Sequence, residues 1–245
     1  SILYDYDEDE YLIDKYAIAL NLGIEVRESE PMPTGKQLGI LAAGLETSRD
    51  AAPGQRLFNV PDELDRIEKN GASVTRLEND SFTKEAFNEQ LNKGTYQVVH
   101  LATHGQFSSN REKTFIKAAN DEINLSEMSN LFRRTQSRQK PVELIVFTAC
   151  RTATGDNEAV LGLAGATVQA GARSSIAALW NLTDSVSPEF TDAFYHHLNE
   201  PDANRAVALQ EAMLALKDSD YGDEDSDYDV PPRRWAPYVL IGSWR

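Results

Sequence analysis

Tyr96-Gln97-Val98-Val99-His100-Leu101-Ala102-Thr103-His104-Gly105 and Glu143-Leu144-Ile145-Val146-Phe147-Thr148-Ala149-Cys150 are the two stretches on which the fold turns. Each is a short apolar run that ends at a chemically active side chain. The second is almost continuously apolar, as befits a strand covered on both faces. Outward from these two, further strands are predicted at 37–43, 72–77, 174–179 and 238–241. Helices are predicted at 62–70, 83–91, 125–134, 160–170, 187–198 and 203–216. Gly71 and Gly94 close the first two helices and Ser126 is the expected cap of the third. Residues 106–124 read as polar and irregular. Segments 16–20 and 24–27 are expected to pair near the N-terminus. Strand and helix signals alternate, which predicts an α/β domain with a parallel sheet flanked by helices. No repeat of 20–50 residues exists, and residues 1–245 read as one domain.

With 245 residues, the chain can bury about 70% of its unfolded surface and needs no disulfide or metal to hold together. A single cysteine excludes an internal disulfide and fits a reducing compartment. No apolar run is long enough to span a membrane and the first residues lack the regions of a signal peptide. A cytoplasmic location follows as the expectation. The net charge of −15 is concentrated: residues 5–10 hold five acids and residues 218–229 hold seven, leaving −15 + 12 = −3 elsewhere. Both tracts are predicted to be solvated and partly disordered. Nucleic-acid binding needs a basic face, which this composition lacks.

His104 and Cys150 each lie just past the end of a predicted strand, 46 residues apart. Ligands of open parallel sheets bind outside the carboxyl ends of the strands. If the two strands are neighbours, thiol and imidazole meet at that rim. The thiolate is the attacking species, and an adjacent imidazole can take the thiol proton and later deliver it to a leaving amine. The backbone N–H groups of Gly105 and Cys150 are candidate donors to a tetrahedral oxyanion.

His100-Leu101-Ala102-Thr103-His104-Gly105 and Phe147-Thr148-Ala149-Cys150-Arg151-Thr152-Ala153 resemble the two signature blocks of CHAT domains, caspase-like domains often found behind TPR repeats. Gly162-Leu163-Ala164, Ala178-Leu179-Trp180-Asn181 with Asp184, Phe194-Tyr195, Trp235-Ala236 with Gly242, and Tyr11 to Ile18 resemble the family as well. The resemblance covers nearly the whole chain. It implies the clan of caspases, separases and gingipains, and a three-layer α/β/α sandwich around a mainly parallel six-stranded sheet. It also implies a His104–Cys150 dyad, and an oxyanion hole from the Gly105 and Cys150 amides. The expected function is a cysteine endopeptidase that cleaves a protein substrate through an acyl-enzyme, without cofactor or metal. The chain is then expected to be the C-terminal part of a longer protein whose TPR repeats recruit a regulatory partner. The competing reading is a catalytically silent domain that serves as a protein-binding scaffold.

Three further residues have two readings each. Asp156 and Asp184, in loops after the fourth and fifth predicted strands, either line a pocket for a basic residue before the scissile bond or act as loop and cap aspartates. Thr148 is either the pocket floor or an ordinary strand residue. His100 reads as a buried structural histidine and His196-His197 as surface. Trp180 and Trp235 read as core. Four histidines and one cysteine offer no zinc spacing. The 218–229 tract lacks the order of an EF-hand, which favours a solvated loop over a calcium site; a mobile regulatory segment is the remaining alternative.

Overall fold

The computed structural model describes residues 3–21, 32–47, 56–93, 96–107, 113–137, 141–148, 151–152, 165–168, 171–180, 184–201, 203–219 and 230–245. Its central sheet has seven strands: β1 (Ala19–Leu20), β2 (Gly39–Gly44), β3 (Ser73–Glu78), β4 (Val98–Ala102), β5 (Leu144–Phe147), β6 (Ser174–Ala178) and β7 (Tyr238–Gly242). They lie in the order β1-β7-β6-β5-β4-β2-β3. Strands β2 to β6 are parallel to one another. β7 runs antiparallel to β6, and β1 is parallel to β7. The mainly parallel sheet is therefore present, with one strand beyond the six expected. That strand is Ala19–Leu20, which pairs with Leu240–Ile241. Its expected partner, 24–27, lies outside the described residues.

Side-chain alternation divides the core into two. Leu41, Val99, Leu101, Ile145, Phe147 and Ala177 point to one face, where α2 (Lys84–Lys93) and α3 (Leu125–Ser137) add Phe87, Leu91, Met128 and Phe132. Ile40, Ala42, Val98, Ala102, Val146 and Ile176 point to the other. That face is covered by α1 (Val60–Lys69), α4 (Ser187–Leu198) and α5 (Arg205–Lys217) through Leu64, Ile67, Phe190, Phe194, Leu209 and Met213. The period of two along each strand and burial on both faces explain why these runs are almost wholly apolar. Each fully buried Leu, Ile or Phe favours the fold by about 1.5–3 kcal/mol relative to exposure. Trp235 is buried in the second core, and Trp180 packs against it while half-buried.

Several segments depart from the expectations. Within 106–124, the chain forms strands at Gly105–Phe107, Phe115–Lys117 and Glu122–Asn124, which join Arg151–Thr152 in a second, four-stranded sheet. Ile116 and Ile123 bury one apolar residue per strand against the first core. The cap of α3 is Asn124 rather than Ser126. The Asn124 carboxamide oxygen accepts from the Glu127 N–H at 3.0 Å, and the Glu127 carboxylate accepts from the Asn124 N–H at 2.9 Å. The acidic stretch 5–10 is not disordered. Tyr4–Asp5 pairs with Glu10–Tyr11 in a hairpin, and Lys15 Nζ reaches Glu8 at 2.5 Å and Glu10 at 2.6 Å. Hydrogen bonds that it donates to Glu10 and then to Glu8 hold the Lys15 ammonium above its usual range. Gly71 closes α1 with φ of +84°, as expected of a left-handed terminator. Gly94, and most of the 218–229 tract, lie outside the described residues. No helix among the described residues is long and apolar enough to cross a membrane.

Candidate functional site at the ends of two neighbouring strands

β4 and β5 are adjacent and parallel, with Val99 opposite Ile145, His100 opposite Val146 and Leu101 opposite Phe147. The pairing continues through the Thr148 N–H, which donates to the Leu101 carbonyl at 3.3 Å. Beyond this point each chain leaves the central sheet. The Thr103 hydroxyl donates to the Lys117 carbonyl at 2.7 Å, and the Lys117 N–H donates to the His104 carbonyl at 2.7 Å. The strand Phe115–Lys117 thus clamps the backbone of 103–104. His104 is half-buried and Gly105 is buried. Gly105 lies opposite Ile116, and Gln106 lies opposite both Phe115 and Arg151.

Cys150 and Asp156 lie outside the described residues. The nearest described residues on either side of Cys150 are Thr148, bonded to Leu101, and Arg151, paired with Gln106. Asp184 opens a single 3-10 turn, Asp184–Val186, that runs into α4. Thr148 is fully buried, and its hydroxyl oxygen is 3.5 Å from His100 Nε2, at the outer limit of a hydrogen bond. It therefore faces His100, on the side of the sheet covered by α1 and α4.

His100 is the centre of a buried polar group. It is 0% exposed, and Glu63 from α1 is 1% exposed. His100 Nε2 lies 2.8 Å from Glu63 Oε1, and Nδ1 lies 3.0 Å from the Tyr195 hydroxyl. The Thr191 hydroxyl donates to Glu63 Oε1 at 3.2 Å. Burial, with a further contribution from the Glu63 charge, holds the Tyr195 hydroxyl well above its usual range. Tyr195 therefore keeps its proton. Both ring nitrogens of His100 have a hydrogen-bonding partner, the Glu63 carboxyl at Nε2 and the Tyr195 hydroxyl at Nδ1. The structural reading of His100 holds. Its partners Glu63, Thr191 and Tyr195 were not singled out in the sequence. One signal was available, since Glu63 lies on the same helical stripe as Val60, Leu64 and Ile67, all buried. An acid on an apolar stripe requires a buried partner.

Away from the strand ends, a groove of about 350 Å³ between α1 and α4 is lined by Arg66, Glu189, Asp192 and the pair His196-His197. Partial burial raises the Glu189 carboxyl above its ordinary range, against the opposing effect of Arg234 and Arg66. Among the described residues, no three His, Cys, Asp or Glu side chains are grouped as a metal site.

The CHAT domain family model matches residues 1–243. Among solved structures, the Arg specific cysteine proteinase gingipain R superposes with a TM-score of 0.55 at 14% identity, covering 85% of this chain and 47% of that one. The Porphyromonas gingivalis complex of RgpB pro- and mature domains gives 0.53 at 13% identity, with 85% and 48% covered. The chain thus spans about half the length of these two. Caspase-1 from Spodoptera frugiperda gives 0.53 at 12% identity, covering 92% of this chain and 94% of that one. These similarities establish a caspase-like fold. No curated protein sequence matches the chain.

Proposed function

Because the chain belongs to the CHAT domain family, whose fold here is that of caspase-like cysteine peptidases, we propose that it is a cysteine endopeptidase in which Cys150 is the nucleophile and His104 its general base. The observation that carries the reading is the paired register on both sides of the rim. Phe147 is opposite Leu101 before it, and Arg151 is opposite Gln106 after it. This register on both sides supports pairing His104 with Cys150 at adjoining strand ends.

In the proposed reaction, His104 takes the thiol proton as Cys150 attacks the substrate carbonyl, and returns it to the departing amine. Water then hydrolyses the acyl-enzyme, with His104 taking a proton from the water. The Gly105 and Cys150 amides are the proposed oxyanion donors, each worth about 3 kcal/mol in the transition state. The clamp on the His104 carbonyl by Lys117 supports this role, since it fixes the peptide unit that contains the Gly105 N–H.

The proposed substrate is a protein segment with a basic residue before the cut, held by Asp156 and Asp184. The place of Asp184 in the connection between β6 and α4, and the arginine specificity of gingipain R in the same fold, support this preference. The test is a peptide-library cleavage profile of wild-type chain against Cys150→Ala. Cleavage after Arg or Lys, absent in the variant, is the expected result. Equal turnover by the variant overturns the nucleophile, and preference for Asp before the cut overturns the acidic pocket.

A further inference from the structure

We propose that Glu63 and His100 are positioning residues that hold the ends of β4 and β5 in register for the dyad, an inference that rests on the reading of His104 and Cys150 above. The buried polar group touches both strands and two of the three helices that cover this face. His100 belongs to β4 and Thr148 continues β5. Glu63 comes from α1, and Thr191 and Tyr195 come from α4. His100 precedes His104 by four residues, and Thr148 precedes Cys150 by two. At about 3.3 Å per extended residue, Cys150 is within about 7 Å of Thr148 along the chain.

Stability alone does not account for an ionisable pair at this place. Apart from Thr148, the neighbouring positions on that face of the sheet are apolar: Val98, Ala102, Leu144 and Val146. Replacing both partners of a buried hydrogen bond by apolar groups of the same shape is often nearly neutral or stabilising, because the desolvation cost disappears. What apolar packing does not supply is direction. The imidazole is fixed at both nitrogens, at 2.8 Å on one side and 3.0 Å on the other. That allows one orientation of the ring, and with it one placement of β4 against α1 and α4. Proton transfer between thiol and imidazole needs heavy-atom separations of about 2.6–3.2 Å. A displacement of about 1 Å at such a centre can cost on the order of 100-fold in rate.

The test uses Cys150 as its own reporter, since it is the only thiol in the chain. The rate of Cys150 alkylation by iodoacetamide at pH 7 is measured by intact mass on the full chain. Wild type, the double variant Glu63→Leu/His100→Leu and His104→Ala are compared, with thermal unfolding of each. The expected result is a double variant that unfolds like wild type but is alkylated at least about ten-fold more slowly. A folded double variant alkylated at the wild-type rate, beside a slowed His104→Ala, overturns the brace and leaves the dyad standing. A His104→Ala chain alkylated at the wild-type rate overturns the dyad and the brace together. If the double variant does not fold, Tyr195→Phe, which removes one oxygen atom from the group, carries the comparison. Slower alkylation at unchanged folding supports the brace, and an unchanged rate overturns it.

Discussion

Replacing His100 by Leu is expected to be among the most damaging conservative substitutions in this chain. Leucine nearly matches the volume of the imidazole, so the cavity contribution is small. What changes is the environment of Glu63. It is 1% exposed, and its carboxyl loses Nε2 at 2.8 Å and keeps the Thr191 hydroxyl at 3.2 Å. The Tyr195 hydroxyl loses its imidazole partner at the same time. Breaking a buried pair from one side costs about 3–5 kcal/mol. That is a large share of a total stability of about 5–15 kcal/mol, and corresponds to about 10 °C in Tm for a domain of this size. The assay is urea unfolding followed by tryptophan fluorescence on wild type, His100→Leu, Glu63→Leu and the double variant. Each single variant is expected to fall by the full amount, and the double variant to recover most of it. A His100→Leu chain within about 1 kcal/mol of wild type would show that Glu63 does not depend on the imidazole. So would a double variant as unstable as the two single losses added together, since sites that do not interact add.

Two further outcomes follow from the same geometry. Gly242 has φ of +102°, and a Cβ there would lie 2.4 Å from the Arg173 carbonyl oxygen, which is backbone and has little room to move. Gly242→Ala is expected to lose at least about 2–3 kcal/mol in urea unfolding, through strain where β7 meets β6. The Glu46 carboxyl is held below its ordinary range by a hydrogen bond from Arg56 and then by one from Asn79. Its folded pKa is depressed, so its contribution is present above the unfolded pKa and is lost as pH falls through the folded one. Glu46→Gln should therefore be less stable than wild type near neutrality, and the gap should close in acid. Urea midpoints measured from pH 7 down to pH 3 check the sign.

The strands that build the site were legible because both of their faces are buried. Val98 to Ala102 and Leu144 to Phe147 sit under helices on either side, and no choice of register exposes them. Helix α4 was legible at both ends, with Pro188 in its first turn and buried aromatic residues along one side. The second sheet was not legible. Phe115–Lys117 and Glu122–Asn124 are three-residue strands carrying one buried isoleucine each, too little for a period of two to stand out. The acidic hairpin was misread because composition alone does not show that Lys15 lies among Glu8, Glu10 and Asp5. His100 was legible as structural from its place inside an apolar strand. The partners that make it a brace come from helices 37 and 95 residues away, a separation across which sequence periodicity carries no signal. Thr148 had two readings, and its burial beside His100 follows from the alternation of β5, which turns it to the same face as Leu144 and Val146.

The central claim is that one thiol and one imidazole act together at the rim of the sheet. Its most direct measurement is mass-spectrometric labelling of Cys150 by a panel of peptidyl acyloxymethyl ketones, on wild-type chain and on His104→Ala. Stoichiometric modification of Cys150 is expected in the wild type, fastest with Arg or Lys next to the warhead, with little or none in the variant. Equal labelling of the two chains, or a wild-type Cys150 that reacts with no probe in the panel, contradicts the claim.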